Sequence, residues 1–363
     1  MNKILLYTDN HFCTYSSIVR SRGERYSVRL ENQLKTMDWL VDLAKQNQCS
    51  SMFCLGDFFD KPELTAEEIS ALSEINFENI LPYFIVGNHE LGTGDCEFSS
   101  AHAFLQNKEC EVFNKPSVLA IGKTLIYILP YQVDRLSSVM NYFSSTIPID
   151  QYAHKILLMH NDIKGIQMGK FKSEEGFEIS DLQNNFDLVI NGHIHNQMWI
   201  TNNVLNLGNI TGQNFSEDGF RYQHQAMILD CDTLEYSLVR NPRALNFYKI
   251  DWSQGTDIDT INKVSSMMSN AVVSMKVTES ESEYLRYRFD PTYQNERLEQ
   301  CHAPKNCNIV QARISVEHTV NSDSVDKVAD LHLDHLQEFQ NFVMQNIQPD
   351  DIMLSELQEV LKQ

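Results

Sequence analysis

Short apolar runs recur through the first two thirds of the chain, and each stops at a cluster of polar residues. Residues 4–8, 51–55, 83–86, 155–159 and 187–190 have the length and continuity of buried strands. Between the first two, Leu30, Leu34, Met37, Val41 and Ala44 recur at helical spacing, so 28–46 reads as a helix. Thr65 is an N-cap for a further helix near 65–79, with Glu67 and Glu68 in its first turn. Strand, helix, strand, helix, strand is the pattern of a sheet layered with helices. Residues 14–27 are polar and arginine-rich and read as a loop. Helices are expected at 97–107 and 132–143, and two or three strands over 111–129. A polar loop with a short helix is expected over 163–185. Residues 197–240 alternate as strands, with turns at Asn202-Asn203 and Asp218-Gly219.

The pattern changes after Asn241-Pro242-Arg243, which reads as a domain boundary. Strands are expected at 245–251, 271–278, 284–289 and 308–316, with helices at 257–269 and 291–300. Residues 322–362 then read as two helices broken at Gln348-Pro349-Asp350, each with an apolar stripe. The expected domains are 1–242, 243–320 and a helical tail at 321–363.

The chemistry gathers where the strands end. Asp9-x-His11, Gly56-Asp57, Gly87-Asn88-His89, His160 and Gly192-His193-x-His195 each follow an apolar run. The carboxyl edge of parallel strands is where ligands sit in open α/β sheets. Singly, each cluster has a plain reading as a turn, a cap or a hydrogen-bonded histidine. Together they offer carboxylates, one amide oxygen and several imidazoles, a donor set suited to manganese, iron or zinc rather than calcium. Two such ions about 3.5–4 Å apart can clamp the attacking and leaving oxygens of a displacement at phosphorus. The remaining histidines lack this setting.

Charge modifies the picture. The net charge of −20 argues mildly against a nucleic-acid partner. It is uneven, however: residues 322–363 carry nine acids against two lysines, while residues 1–50 carry seven bases against five acids. Arg20, Arg22, Arg25 and Arg29 fall close together beside Asp9 and His11, as candidates for phosphate contact or as a solvated basic loop. The eight cysteines are scattered and read as reduced thiols. No apolar run approaches the roughly 18 residues of a membrane span, and the start looks like a strand rather than a leader. The expectation is a cytoplasmic protein with no membrane partner.

The D-x-H, GD, GNH, H and GHxH series resembles the calcineurin-like metallophosphoesterase superfamily over residues 1–240. A narrower resemblance follows. Gly208 to Glu217, with Phe215-Ser216-Glu217, looks like the G-S-x(6)-F-S-E segment of the SbcD-type nucleases of double-strand-break repair, bacterial, phage and eukaryotic. Leu129-Pro130-Tyr131 and Gly56-Asp57-Phe58-Phe59-Asp60 fit it as well. The resemblance implies a four-layer α/β/β/α sandwich, a small α+β domain capping the active site, and a helical tail. It implies one metal on Asp9, His11, Asp57 and His195 and another on Asp57, Asn88, His160 and His193. His89 would be the catalytic histidine. Asp60 stands where some relatives have a second one, and its expected role is to orient His89. The usual Ser after Gly208 is Asn209 here, a change expected to alter how that loop meets the substrate. The implied activity is a manganese-dependent DNA nuclease, exonucleolytic on duplex ends and endonucleolytic on single strands. Implied partners are DNA, a coiled-coil ABC-type ATPase of the SbcC kind, and a second copy of the chain.

Two other readings stand beside it. The same ligands would serve a metallophosphatase or a cyclic-nucleotide phosphodiesterase acting on a small substrate. A non-catalytic scaffold of this fold that tethers DNA is the third, disfavoured by a full ligand set.

Overall fold

The computed structural model describes residues 2–16, 18–19, 23–93, 96–106, 110–131, 152–168, 171–251, 270–278 and 309–317. The helices expected at 132–143, 257–269 and 291–300, the strand at 284–289 and the helical tail lie outside the described residues. The chain divides into two compact units, Met1–Lys276 with Arg297–Ser315, and Val277–Glu296 with Val316–Gln363. The first unit therefore runs past Asn241-Pro242-Arg243.

Within that unit the chain forms β1 (Lys3–Tyr7), α1 (Val28–Gln46), β2 (Cys49–Cys54), α2 (Ala66–Leu72), β3 (Leu81–Ile85) and a 3₁₀ turn (Ser100–Gln106). Next come β4 (Glu111–Phe113), β5 (Ser117–Ile121), β6 (Thr124–Leu129) and β7 (His154–Met159). A small hairpin of β8 (Gln167–Met168) and β9 (Phe171–Lys172) precedes α3 (Ile179–Asn185) and β10 (Leu188–Asn191). The remaining strands are β11 (Met198–Trp199), β12 (Val204–Asn206), β13 (Gln225–Asp230), β14 (Tyr236–Arg240), β15 (Asn246–Asp251), β16 (Ala271–Thr278) and β17 (Ile309–Glu317).

One sheet has the order β14-β13-β1-β2-β3-β4, the other β11-β12-β10-β7-β6-β5. In the first, β1 to β4 run parallel; in the second, β6, β7, β10 and β12 do. Alternation along β1 explains how they stack. Ile4 and Leu6 face the other sheet, meeting Ile126, Ile156, Leu158 and Ile190. Leu5 and Tyr7 face outward under α1 and α2, against Leu30, Met37 and Ala71. The second sheet turns Leu157, Met159 and Val189 the other way, toward Leu182 of α3. The result is a four-layer α/β/β/α sandwich. Strands buried on both faces read as unbroken apolar runs, which is why they are visible in the sequence.

The helices are held at their ends. The Ser27 hydroxyl accepts the Leu30 N–H at 3.1 Å. Thr65 and Glu68 form a reciprocal capping box at 3.2 and 2.7 Å. The helix begun by Thr65 ends at Leu72, short of the expected 79. Ser70 and Ser73 turn their hydroxyls onto the helix backbone, and the Asn76 side chain takes the Glu78 N–H. The expected helix at 97–107 is the shorter 3₁₀ turn, and it seats Phe104 against Phe84 with ring centroids 3.7 Å apart. Such a ring pair adds about 0.5–1.5 kcal/mol beyond its buried area. β15, β16 and β17 form a separate three-stranded sheet.

Candidate metal centre

Every cluster read from the sequence leaves the carboxyl end of a parallel strand. Asp9 and His11 follow β1, Asp57 follows β2, and Asn88 and His89 follow β3; His160 follows β7, and His193 and His195 follow β10. The first sheet thus supplies one half of the donors and the second sheet the other. The backbone is forced at these turns. Eight described non-glycine residues have left-handed φ, and Asp9, His11, Asp57 and His193 are four of them. Strain of this kind costs on the order of 1–3 kcal/mol per residue and persists only where the surroundings impose it. The motif glycines permit the convergence. Gly56 has φ +102°, and a Cβ there would lie 2.2 Å from His160 Nδ1; one on Gly87 would lie 2.2 Å from Asp57 Oδ1.

The side chains form three overlapping groups, two of expected ligands and one that joins His11 and Asp57 to His89. In the first, Asp9, His11 and His195 bring donor atoms within 4.8 Å of one another. His11 Nε2 and His195 Nε2 are 3.2 Å apart, with Asp9 Oδ1 at 3.9 and 3.8 Å from them. In the second, Asp57, His160 and His193 do the same. Asn88 Oδ1 lies 3.2 Å from His160 Nε2 and 2.9 Å from His193 Nδ1. Asp57 Oδ2 belongs to both, 3.1 Å from His160 Nε2 and 3.9 Å from His11 Nε2. All seven residues expected to hold metal therefore meet at one place.

The other nitrogen of each imidazole is occupied. His11 Nδ1–H donates to Asp60 Oδ1 at 3.0 Å, and His160 Nδ1–H to the Leu55 carbonyl at 2.7 Å. His193 Nε2–H donates to Asp162 Oδ1 at 3.2 Å, and His195 Nδ1–H to Glu217 Oε1 at 2.8 Å. Each acceptor holds a proton on the outer nitrogen and aims the other nitrogen inward, as the outer partners of ligating histidines do. Burial lowers the His11 pKa despite its acidic neighbours, which favours the neutral ring. Burial also opposes charge on the Asp57–His160 pair. Their mutual attraction overcomes it, holding the Asp57 carboxyl well below its usual range and pushing His160 up to about 9.

A family model for calcineurin-like phosphoesterases matches residues 2–197. The chain belongs to that family. Over 224 residues it is 24% identical to the SbcD component of the SbcCD nuclease from Staphylococcus saprophyticus subsp. saprophyticus, a match covering 52% of this chain and 57% of that protein. The chain thus spans little more than half the length of the curated relative it matches. Among solved structures, it is similar to TT1561 of Thermus thermophilus (TM-score 0.41, 12% identity, 66% of this chain and 98% of that one). It is also similar to an archaeal phosphodiesterase (TM-score 0.35, 14% identity, 66% and 99%).

Calcineurin-like phosphoesterases are hydrolytic enzymes that use divalent metal ions, and the donors here suit such ions. Asp9 Oδ1 is buried and has no hydrogen-bond partner. With both Nδ1 protons committed outward, His11 Nε2 and His195 Nε2 face each other at 3.2 Å, and two neutral rings would oppose lone pairs there. A buried acceptor left unmade costs about 1–3 kcal/mol, and a cation between these atoms would relieve all three.

Three further expectations can be placed. His89 is exposed, its ring centroid 4.6 Å from that of His11. Its Nδ1–H donates to the backbone carbonyl of Asp60 at 3.1 Å, leaving Nε2 as the nitrogen that can exchange a proton. The Asp60 carboxylate, expected to orient His89, faces His11 instead; it is the main chain of residue 60 that meets His89. Asn209, the replacement expected to alter how its loop meets the substrate, is buried. Its amide donates to Glu217 at 3.1 Å, and its oxygen pairs with His224 at 2.9 Å. Of the arginines, Arg20 and Arg22 lie outside the described residues. Arg25 pairs with Glu74 at 2.6 Å, and Arg29 is buried beside the centre.

Glu217, Asp162 and Glu90 have no role in the sequence reading. Glu90 is fully buried and ties two motif loops together, accepting the Phe59 N–H at 3.1 Å and the Gly87 N–H at 2.8 Å. Burial, then the charge of Asp57, pushes its pKa up to about 8. Each of the three lies within two residues of a motif or inside one, which is the only signal available.

Proposed function

We propose that this phosphoesterase is the DNA nuclease subunit of a complex like SbcCD, acting with a coiled-coil ABC-type ATPase in DNA recombination, repair or replication. The observation that carries this reading is the 24% identity to the SbcD component of the SbcCD nuclease. The Phe215-Ser216-Glu217 segment supports it. Glu217 orients His195, while the Phe215 ring packs edge-on against Phe247 of β15 with centroids 5.2 Å apart. The segment thus joins the metal centre to the first strand beyond residue 243. In this reading residues 243–320 cap the site, residues 321–363 bind the ATPase, and two copies of the chain pair, as a phage or bacterial cytoplasmic enzyme. No helix among the described residues is long and apolar enough to cross a membrane.

Two divalent ions, manganese in this reading, would polarise the phosphodiester and activate the attacking water when bound by the two groups of side chains. His89 holds its Nδ1 proton against the Asp60 carbonyl and presents Nε2 to the leaving oxygen as the proton donor. Asp60, Asp162, Glu217 and the Leu55 carbonyl keep the four ligating imidazoles aimed.

The test is purified protein with manganese, given linear duplex DNA, a single-stranded DNA circle and 4-nitrophenyl phosphate in parallel. Both DNAs should be cut, and His89→Gln should stop cutting without weakening DNA binding. Hydrolysis of the nitrophenyl ester with both DNAs left whole would replace this reading with a small-molecule phosphatase.

A further inference from the structure

Arg29 opens α1 and is 1% exposed. A guanidinium is always charged, and burying a charge costs several kcal/mol unless it is paired. Its partners are neutral. Nε–H donates to Cys13 Sγ at 3.0 Å. Nη2 donates to the His11 carbonyl at 3.3 Å and to Gln213 Oε1. Nη1 has no partner. Among the described residues no carboxylate forms an ion pair with Arg29. Asp60 shares its cleft but turns Oδ1 to His11.

The guanidinium is therefore locked on one edge, and on the other Nη1 has no hydrogen-bond partner, although Asp60 attracts it across the cleft. Arg29 lines a cleft of about 970 Å³ with His11, His89 and His195, which extends past them to Ser16, Lys61 and Asn214. A second cleft, of about 710 Å³, leaves the same His89 and His195 toward Gln167 and Lys249. Two grooves leaving one centre suit a chain that runs through it rather than an ester that ends there. The donors that would bind the scissile phosphate are the inward-facing atoms of the metal groups. Arg29 is held on the main chain of His11, outside that set.

We propose that Arg29 receives a second phosphate, adjacent along the strand to the one being cleaved, so that the enzyme selects polynucleotides over esters with a single phosphate. This rests on the nuclease reading above and names its substrate class. The anion gives Nη1 the hydrogen-bonded charge partner that Asp60, bonded to His11, does not supply. Charge-assisted bonds of this kind are worth about tenfold to a hundredfold in affinity.

The experiment uses the 363-residue chain with manganese and five substrates. They are a thymidine dinucleotide with one internal phosphate, the same dinucleotide with an added 5′ or 3′ terminal phosphate, ADP, and bis(4-nitrophenyl) phosphate. The wild-type kcat/KM should rise about tenfold to a hundredfold when one terminal phosphate is added. Arg29→Met should shrink that ratio to within about twofold, while Arg29→Lys keeps part of it. As a readout independent of turnover, binding of a fluorescein-labelled oligothymidylate is followed in EDTA against salt. The slope of log K on log salt should fall by about 0.7 in Arg29→Met, one phosphate contact fewer on a single strand.

An equal wild-type rate with and without the terminal phosphate overturns the proposal, and needs no variant to fold. So does an unchanged ratio in Arg29→Met. A preference for ADP would assign the second phosphate to a nucleoside diphosphate and overturn it as well. In each of these cases DNA cutting survives and the nuclease reading stands. Hydrolysis of the nitrophenyl diester with no nucleotide cut fails the nuclease reading itself.

Discussion

Replacing Glu217 by glutamine should weaken one metal site and spare the other. Glu217 is 3% exposed and accepts three bonds: His195 Nδ1–H at 2.8 Å, the Asn209 amide at 3.1 Å and the Gln213 N–H at 2.9 Å. Both its oxygens are acceptors, so a glutamine must turn its NH₂ toward one of these donors. If it faces Gln213, a buried N–H is left unmade, at about 1–3 kcal/mol of stability. If it faces His195, the imidazole loses its acceptor and the aim of Nε2. Either way the negative charge that raises the His195 pKa against burial is gone, and with it part of that nitrogen's basicity as a ligand. Loss of such an outer partner typically costs 10–100-fold in metal affinity, or about 1.4–2.7 kcal/mol. Manganese titration by calorimetry, with free manganese followed by electron paramagnetic resonance, resolves the two sites. Glu217→Gln should weaken the site of Asp9, His11 and His195, and Asp162→Asn should weaken the site of His160 and His193 through His193. If either variant weakens both sites equally, or neither, then these carboxylates do not orient individual ligands and the tautomer argument fails.

Three further outcomes are expected. Gly56→Ala places a Cβ 2.2 Å from His160 Nδ1 at φ +102°, so it should cost about 1–2 kcal/mol in backbone strain alone. It should also displace His160, and an unaltered manganese stoichiometry would contradict this. In metal-free protein His160 titrates near 9, above its ordinary 6.5. Its stabilising charge is fully present below about 6.5 and is lost as pH rises through about 9. The thermal midpoint in EDTA should therefore fall across that window, and a flat midpoint would refute the ion pair with Asp57. Phe104→Ala removes a buried ring stacked on Phe84 and in edge contact with Phe58 and Phe77, and should cost about 3–5 kcal/mol in urea denaturation. A loss below about 1 kcal/mol would mean the 3₁₀ turn does not anchor that core.

The sequence carries what repeats along it. Strands such as Ile4–Tyr7 and Ile156–Met159 are buried on both faces, so they appear as unbroken apolar runs with their motifs at the ends. The seven candidate ligands are legible for that reason. What lies beyond reach is direction. Asp60 is expected against His89, yet its carboxylate meets His11 while its carbonyl meets His89. Asn209 is expected to change how its loop meets substrate, and any such change comes from within, through its bond to Glu217. Both depend on which way a side chain turns out of a loop, and loop residues carry no periodicity to reveal it. Arg29 shows the same limit. It falls inside the helix expected at 28–46 and is grouped there with three loop arginines as a phosphate contact or a solvated charge, yet it is buried, while Arg25 stands exposed beside Glu74.

The centre gathers in one place departures from local rules that elsewhere in the first unit are scattered. It holds four left-handed non-glycine residues, an unpartnered Asp9 oxygen and two imidazole nitrogens turned on each other. None of these would survive as a device for stability, since each makes the fold less favourable. They become consistent once cations share the seam between the sheets, because Asp9, His11, Asp57 and Asn88 come from one sheet and His160, His193 and His195 from the other. A ligand that binds only the folded state stabilises it by about 2.7 kcal/mol at a hundredfold excess over its Kd. The ions that supply the chemistry would thus also tie the two sheets together where the strand ends leave them least packed. Loss of an imidazole is then felt twice, in the reaction and in the join between layers, and the outer carboxylates that aim each ring serve both.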